Sequence, residues 1–285
     1  MTKSIRPLIL SFLMTVMVSG QITATAETVL EAIKRTGELK VAIREDAFPL
    51  GYRDADNASL SGICLDFINI LKIKIKQVLN QEVLAVKLYQ STLLNRFDLI
   101  KDKIAYLECG PNTIQPSLEK NIDFSDSFFV TGTRFLIRAE ESQKFNPNGS
   151  LQGLTLGVLH DTTTQALLAK KYPLAKLEEF QGVTGRRRGI QALQQRKIDA
   201  FASDGILLLG EASLQNLAIG LDYLLVPQTP LDCEFYGLIL PKNDPQWRDL
   251  VNAAIATAKA EKTPYQQWFS TILPEIQKTT AFCHV

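Results

Sequence analysis

The hydrophobic pattern switches between a period of two and a period of three to four residues, and it does so twice along the chain. Leu39, Val41 and Ile43 alternate with other residues as a half-buried strand does, and a polar turn through Asp46, Pro49 and Gly51 follows. Phe67, Leu71, Ile75 and Val78 then recur at helical spacing behind Gly62, and Leu84, Val86 and Leu88 restore the strand period. The segment from Ile70 to Ile75 also alternates like a strand, but its length and the preceding Gly62 favour a helix. Strand, helix, strand in this order predicts an α/β layer.

The second occurrence begins at Leu154, Leu156 and Val158. Asp161 to Thr164 supply caps for a helix that starts at Gln165, and a further helix over 190–195 leads to the short apolar strand Ala200-Phe201-Ala202. Asn146-Pro147-Asn148-Gly149-Ser150 between the two halves reads as a turn or linker. Near the end, Trp247, Leu250, Val251, Ala254, Ile255 and Ala258 follow helical spacing throughout. Thr263-Pro264 reads as the N-cap and first-turn proline of a last helix through Trp268, Phe269 and Ile272, stopped by Pro274. At 285 residues the chain is long enough for two such units, each with its own core.

Residues 1–26 carry Lys3 and Arg6, an apolar run from Leu8 to Val18, and Ala24-Thr25-Ala26. This pattern is that of a secretory signal peptide cleaved after Ala26; the apolar run is too short to span a bilayer. No cysteine follows the run closely, so no lipid anchor is implied. The chain has 31 Lys and Arg against 30 Asp and Glu. That near-balance gives no basic field for nucleic acid and no acidic tail. Four cysteines, Cys64, Cys109, Cys233 and Cys283, are an even number for an exported chain, and three pairings are open. Only two histidines occur, His160 and His284, so a zinc site or a histidine-based triad has little material, and no metal site is expected. No GxGxxG, P-loop, HExxH or GxSxG stands in the sequence, and no cofactor is implied. What the pattern does offer is polar turns at strand C-terminal ends, where open α/β sheets hold ligands. Val158 to Thr164 is such a place: N–H groups at a helix start bind a carboxylate, although the same threonines also serve as plain N-caps.

Several motifs then carry a resemblance. Glu108-Cys109-Gly110-Pro111-Asn112-Thr113 and the run from Ile122 to Arg134 resemble the bacterial extracellular solute-binding proteins for polar amino acids. Gly62-Ile63-Cys64-Leu65-Asp66 is similar to that family's glycine–acid signature, with Cys64 in place of the first acid. Ile198 to Asp204 and Phe235 to Lys242 resemble its two later motifs, so the match spans the chain in order. Arg44-Glu45, Asn95-Arg96, Glu108-Cys109-Gly110 and Gly132-Thr133-Arg134 look closest to the glutamate/aspartate-binding branch. The resemblance implies an α/β protein of two Rossmann-like lobes joined by two crossing strands, the type II periplasmic-binding-protein fold. Lobe one would comprise 27–133 and 234–285, and lobe two 134–233.

The resemblance also implies roles. Asp204 matches the acid that takes a ligand ammonium, though it also fits the N-cap of a helix at Ile206. Thr113, Thr162 and Thr163 match hydroxyl and backbone donors to a carboxylate. Arg44 and Arg96 match cations aimed at a second ligand carboxylate, which a planar guanidinium fork suits. Phe48 and Tyr52 lie where the family sets aromatic rings over the ligand, Tyr52 aligning better; packing beneath the turn is the other reading. The main departure is Leu118, which stands where an arginine normally clamps the α-carboxylate, with Gln115 where Thr or Asn is common. Losing one partner of a buried charged pair costs about 2–5 kcal/mol, so another cation must substitute or the ligand must lack that head group. Arg186, in Arg186-Arg187-Arg188, falls where the acidic branch has a ligand-facing histidine and is the candidate substitute; a solvated helix start is the alternative. By the same implied fold, Cys64 pairs with Cys109 and Cys233 with Cys283.

The expected function is capture of a small acidic or polar amino-acid-like ligand by hinge closure in the periplasm, for import through an ABC permease, by a monomer without catalysis. An orphan sensor or partner-binding module without a permease is the alternative. A cyclohexadienyl-dehydratase-like enzyme on the same scaffold is a further one, with Glu108 as its only extra carboxylate.

Overall fold

A computed structural model describes residues 27–54, 58–118 and 120–284. The export segment, 1–26, lies outside the described residues. The chain forms two five-stranded sheets. The first runs in the order Ala85–Ser91, Glu38–Arg44, Leu107–Cys109, Ile239–Pro241 and Ile122–Phe124, its first three strands parallel and Ile239–Pro241 antiparallel to its neighbours. The second runs Lys176–Phe180, Thr155–Leu159, Ala200–Asp204, Thr133–Arg138 and Tyr223–Val226. Here too three strands are parallel and the last two are antiparallel to their neighbours. A two-stranded antiparallel ribbon of Phe129–Thr131 and Glu234–Tyr236 carries the chain out of the first sheet and back. This is the α/β architecture of two lobes and two crossing strands.

The strand Glu38–Arg44 is the spine of the first lobe. Leu39, Val41, Ala42 and Ile43 are all buried, because a parallel strand between two others is covered on both faces. It is therefore not half-buried as the alternation suggests. The edge strand Ala85–Ser91 is mostly open to solvent and breaks the expected alternation: Val86 and Tyr89 are half-buried, and Leu88 is exposed. The helix Ile63–Leu79 buries Phe67, Leu71 and Ile75 together with Ile63, Cys64 and Ile68, whereas Val78 faces solvent. At its start Gly62 has φ 125°, and a Cβ there would meet the Leu50 carbonyl oxygen at 2.3 Å. The helix packs on Pro245–Glu261, which buries Trp247, Val251, Ala254, Ile255 and Ala258.

The last segment differs from the sequence expectation. Lys262, not Thr263, is the N-cap of Thr263–Phe269, and Ile272 belongs to a 3₁₀ turn, Ser270–Ile272. Pro274 opens a further helix, Leu273–Phe282, rather than stopping one. Proline in the first turn lacks only an N–H that would be orphaned anyway, so it starts helices as readily as it ends them. Asn146 to Ser150 form a turn inside the second lobe, held by the Tyr172 hydroxyl donating to the Pro147 carbonyl at 2.6 Å. The cysteines pair as the resemblance implies: Cys64–Cys109 inside the first core, and Cys233–Cys283 tying the terminal helix to the returning strand.

Candidate functional site

Both sheets direct the C-terminal ends of their parallel strands into the space between the lobes, and the polar groups gather there. Arg44 ends one strand, Asp204 ends another, and Thr162 caps the helix Thr163–Lys171 that follows a third. Arg96 opens the helix Arg96–Lys101, and Arg186 lies in the first turn of Gly185–Gln194. Arg44, Arg96, Thr162, Thr163, Arg186 and Asp204 line one cavity of about 40 Å³. At about 10–15 Å³ of such space per water, it holds a few water molecules and nothing larger. Any amino-acid-sized ligand therefore enters only if the lobes separate.

The cations are set by burial. Arg44 is fully buried and grips Asp46 with Nε and Nη2 at 2.7 and 2.8 Å, while Nη1 has no partner among the described residues. Burial alone would push the Asp46 carboxyl up, but the Arg44 charge and its two hydrogen bonds outweigh it and hold the group ionised. Arg96 is pushed down to about 10 by burial and by the like charge of Arg44, and its Nε is also unpartnered. Arg186 is buried and donates from Nη1 to the Asp46 carbonyl oxygen at 2.6 Å, leaving Nε unpartnered. Arg187 and Arg188, its neighbours in the run, are exposed.

Of the acids, Asp204 lines the same cavity, while Glu234 and Tyr236 lie behind its lining. Asp204 occupies an N-cap position, yet its side chain makes no cap hydrogen bond; it accepts one from the Tyr236 hydroxyl and leaves Oδ1 unpartnered. Burial raises its carboxyl to about 6. Glu234, on the crossing ribbon, is raised to about 8 by burial and then by the charge of Asp204, and its Oε2 has no partner. The Thr113 and Thr163 hydroxyls, one from each lobe, interact with this carboxyl. Glu108 differs: Ser91 Oγ donates to one of its oxygens at 2.6 Å and Asn112 Nδ2 to the other, so the group is engaged in holding strand ends together.

Thr162 is an N-cap in fact, its hydroxyl accepting from the Gln165 N–H and donating to the Leu159 carbonyl. Tyr52 does not reach the cavity: its ring packs edge-on to Phe48 at 4.7 Å and to Trp268 at 6.2 Å. Leu118 ends a 3₁₀ turn and packs with the first lobe's cluster around Ile100 and Phe124. Sequence reasoning overlooked Asp46, Glu234 and Tyr236. Their signal was positional: Asp46 is two residues beyond Arg44, and Glu234 and Tyr236 share one face of a strand. A larger cavity of about 600 Å³ lies on the Phe235 side of the ribbon, lined mainly by apolar side chains such as Phe129, Tyr265 and Phe269. It lacks the convergent arginines and acids of the cleft.

Residues 39–271 match the sequence profile of the bacterial extracellular solute-binding proteins, family 3. The glutamate/aspartate import solute-binding protein of Salmonella typhimurium is 31% identical over 255 residues, 87% of this chain and 82% of the relative. Its namesake in Escherichia coli is 30% identical over the same shares. Among solved structures, an ancestral amino acid-binding protein, a precursor of cyclohexadienyl dehydratase, superposes with a TM-score of 0.71 at 20% identity. It covers 85% of this chain and 100% of its own. The solute receptor for L-cysteine of Neisseria gonorrhoeae gives 0.71 at 22% identity, covering 87% and 94%. These two likenesses speak to the fold. With a profile match across most of its length, the chain belongs to the bacterial extracellular solute-binding proteins, family 3.

Proposed function

We propose that this protein captures a small amino acid bearing a second anionic group, closing its two lobes around it outside the cytoplasm and presenting the closed form to an ABC-type permease. Lobe one would be 27–133 with 234–285 and lobe two 134–233, after removal of a signal peptide at Ala26. The observation that carries this reading is the convergence of Arg44, Arg96, Arg186 and Asp204 on one small cavity, with Arg44 Nη1, Arg96 Nε, Arg186 Nε and Asp204 Oδ1 buried and unpartnered among the described residues. Unpartnered buried charges are costly, and a ligand with two anionic groups and one ammonium satisfies all four. Arg186 supplies from the second lobe the cation that Leu118 does not supply from the first. The names of the relatives point the same way, toward glutamate and aspartate.

Isothermal titration of the exported protein with L-glutamate, L-aspartate, L-glutamine, L-arginine and succinate tests the reading. Tightest binding is expected for the two acidic amino acids. Tightest binding of L-arginine or L-glutamine would overturn the assignment of the arginine cluster to a second anion.

A further inference from the structure

Asp204 lines the cavity, and Glu234 stands behind it, outside the lining but tied to it through the Thr163 hydroxyl; this pair raises a question that the arginines do not answer. Glu234 and Tyr236 are alternate residues of one crossing strand and so project to the same side. Tyr236 reaches Asp204 with its hydroxyl, and Glu234 stands opposite Thr131, whose hydroxyl accepts from the Ile206 N–H just past Asp204. The two carboxylates are thereby held close together, Glu234 only 4% exposed and Asp204 8%, and each keeps one oxygen without a partner. No cation pairs directly with either among the described residues. Two buried carboxylates in such a place need a shared proton or a cation between them.

We infer that Glu234 is a second acceptor for the ligand's ammonium group, so that Asp204 from lobe two and Glu234 from the crossing ribbon grip one cation, and that the grip forms only as a proton leaves Glu234. This rests on the function proposed above and gives the ligand's ammonium a second acceptor besides Asp204. The groups facing Glu234 agree. Asp204 and Asp232 both disfavour its charge, Thr113 and Thr163 favour it, and Arg186 acts on Asp204 and Tyr236 instead. Both carboxyls are raised by burial, and the charge of one raises the other, so the pair keeps a proton near neutral pH, with Glu234 as the more strongly raised partner. An arriving ammonium therefore displaces the Glu234 proton to solvent. Its binding strengthens with rising pH, up to about tenfold per unit below the Glu234 transition.

Titration of L-glutamate and L-aspartate at pH 7, in phosphate and in Tris, counts the protons exchanged from the difference in apparent heat. The wild-type protein is expected to release close to one proton per ligand and to bind more tightly at pH 8 than at pH 6. Glu234→Gln keeps the shape and neutrality of the protonated acid, so it should fold and bind at least tenfold more weakly at pH 8, without proton release and without the pH slope. Asp204→Asn should weaken binding and, because the Asp204 charge helps to raise the Glu234 carboxyl, release less proton at pH 7 than the wild type does. Wild-type binding with no proton exchange, or a Glu234→Gln variant that still releases one, would overturn the inference and leave the proposed function standing. Failure of the wild type to bind either amino acid would overturn both.

Discussion

Arg186 Nη1 donates to the backbone carbonyl of Asp46 at 2.6 Å, so a second-lobe side chain closes on the turn that follows the first lobe's central strand. The same guanidinium lines the cavity and keeps Nε free for a ligand. It thus serves lobe closure and ligand charge together. Replacing Arg186 by alanine is expected to lower affinity by more than tenfold, in keeping with about 2–5 kcal/mol for a buried charged partner. Arg187 is exposed and its nearest acid oxygen, on Glu211, is 3.8 Å away; Arg187→Ala should leave affinity within about twofold. Calorimetric titration of the two variants side by side checks this, and equal, small effects would remove Arg186 from the site.

Fold-level organisation was legible because strands and helices announce themselves by period, and the two five-stranded sheets contain every strand the alternation indicated. Element ends were harder. Pro274 and Thr263 follow general rules for stopping and capping, but which rule applies depends on neighbouring turns that periodicity does not describe. Within the cleft, the residues that show up singly in a motif were easier to find than those that act in pairs. Asp46 matters only because Arg44 is fully buried beside it, and Glu234 only because the chain returns across the cleft next to Asp204. The first pairing is local, two residues apart, and only its burial gives it weight; the second is made by topology, across 30 residues of sequence, and no local pattern carries it. Tyr52 shows the opposite error: an aromatic residue in the right turn, whose ring the hydrophobic effect draws toward Trp268 instead.

The raised carboxyls give the unliganded protein an unusual response to pH. Glu234 is raised by burial and then by Asp204, so the folded state holds this proton more tightly than the unfolded chain does. Its contribution to stability is complete below the unfolded carboxyl range and is lost as pH rises toward about 8. Glu108, raised by burial, and Asp204 act with the same sign. Asp46 is lowered and acts only at more acid pH. Thermal melts without ligand should therefore move down between pH 5 and pH 8. One such group contributes at most about 1.4 kcal/mol per unit, or roughly 3–5 °C in a chain of this size. Glu234→Gln should flatten the slope; an unchanged slope would show that the carboxyl titrates normally.

The two disulfides should differ in accessibility rather than in worth. They close loops of similar length, with sequence separations of 45 and 50, and each is worth about 3–5 kcal/mol by the chain-entropy argument. Cys64 and Cys109 are fully buried, however, while Cys233 and Cys283 are only half-buried at the start of the returning ribbon and the end of the terminal helix. Graded reduction followed by alkylation and peptide mapping should label Cys233 and Cys283 first, with the 64–109 pair opening only when the first lobe unfolds. Simultaneous labelling of all four would show that the terminal helix does not open on its own.

Gly210 sets how closely the lobes approach. It sits in the helix Gly205–Leu214 of the second lobe, against the Phe48 backbone of the first, and a Cβ there would meet the Phe48 carbonyl oxygen at 2.1 Å and its carbon at 2.9 Å. The obstacle is main chain, which cannot swing aside as a side chain does. Alanine in a helix interior is intrinsically better than glycine by about 1 kcal/mol, so Gly210→Ala should not harm the second lobe itself. Its effect falls on the contact between lobes: the helix and the Phe48 turn are held apart, and the Arg186 bond to Asp46 stretches with them. We expect Gly210→Ala to bind its ligand at least tenfold more weakly while melting as wild type does without ligand. Small-angle scattering with saturating ligand should show less compaction than the wild type reaches. Wild-type affinity in this variant would mean that the lobes close on the ligand without the approach of Gly210 to Phe48.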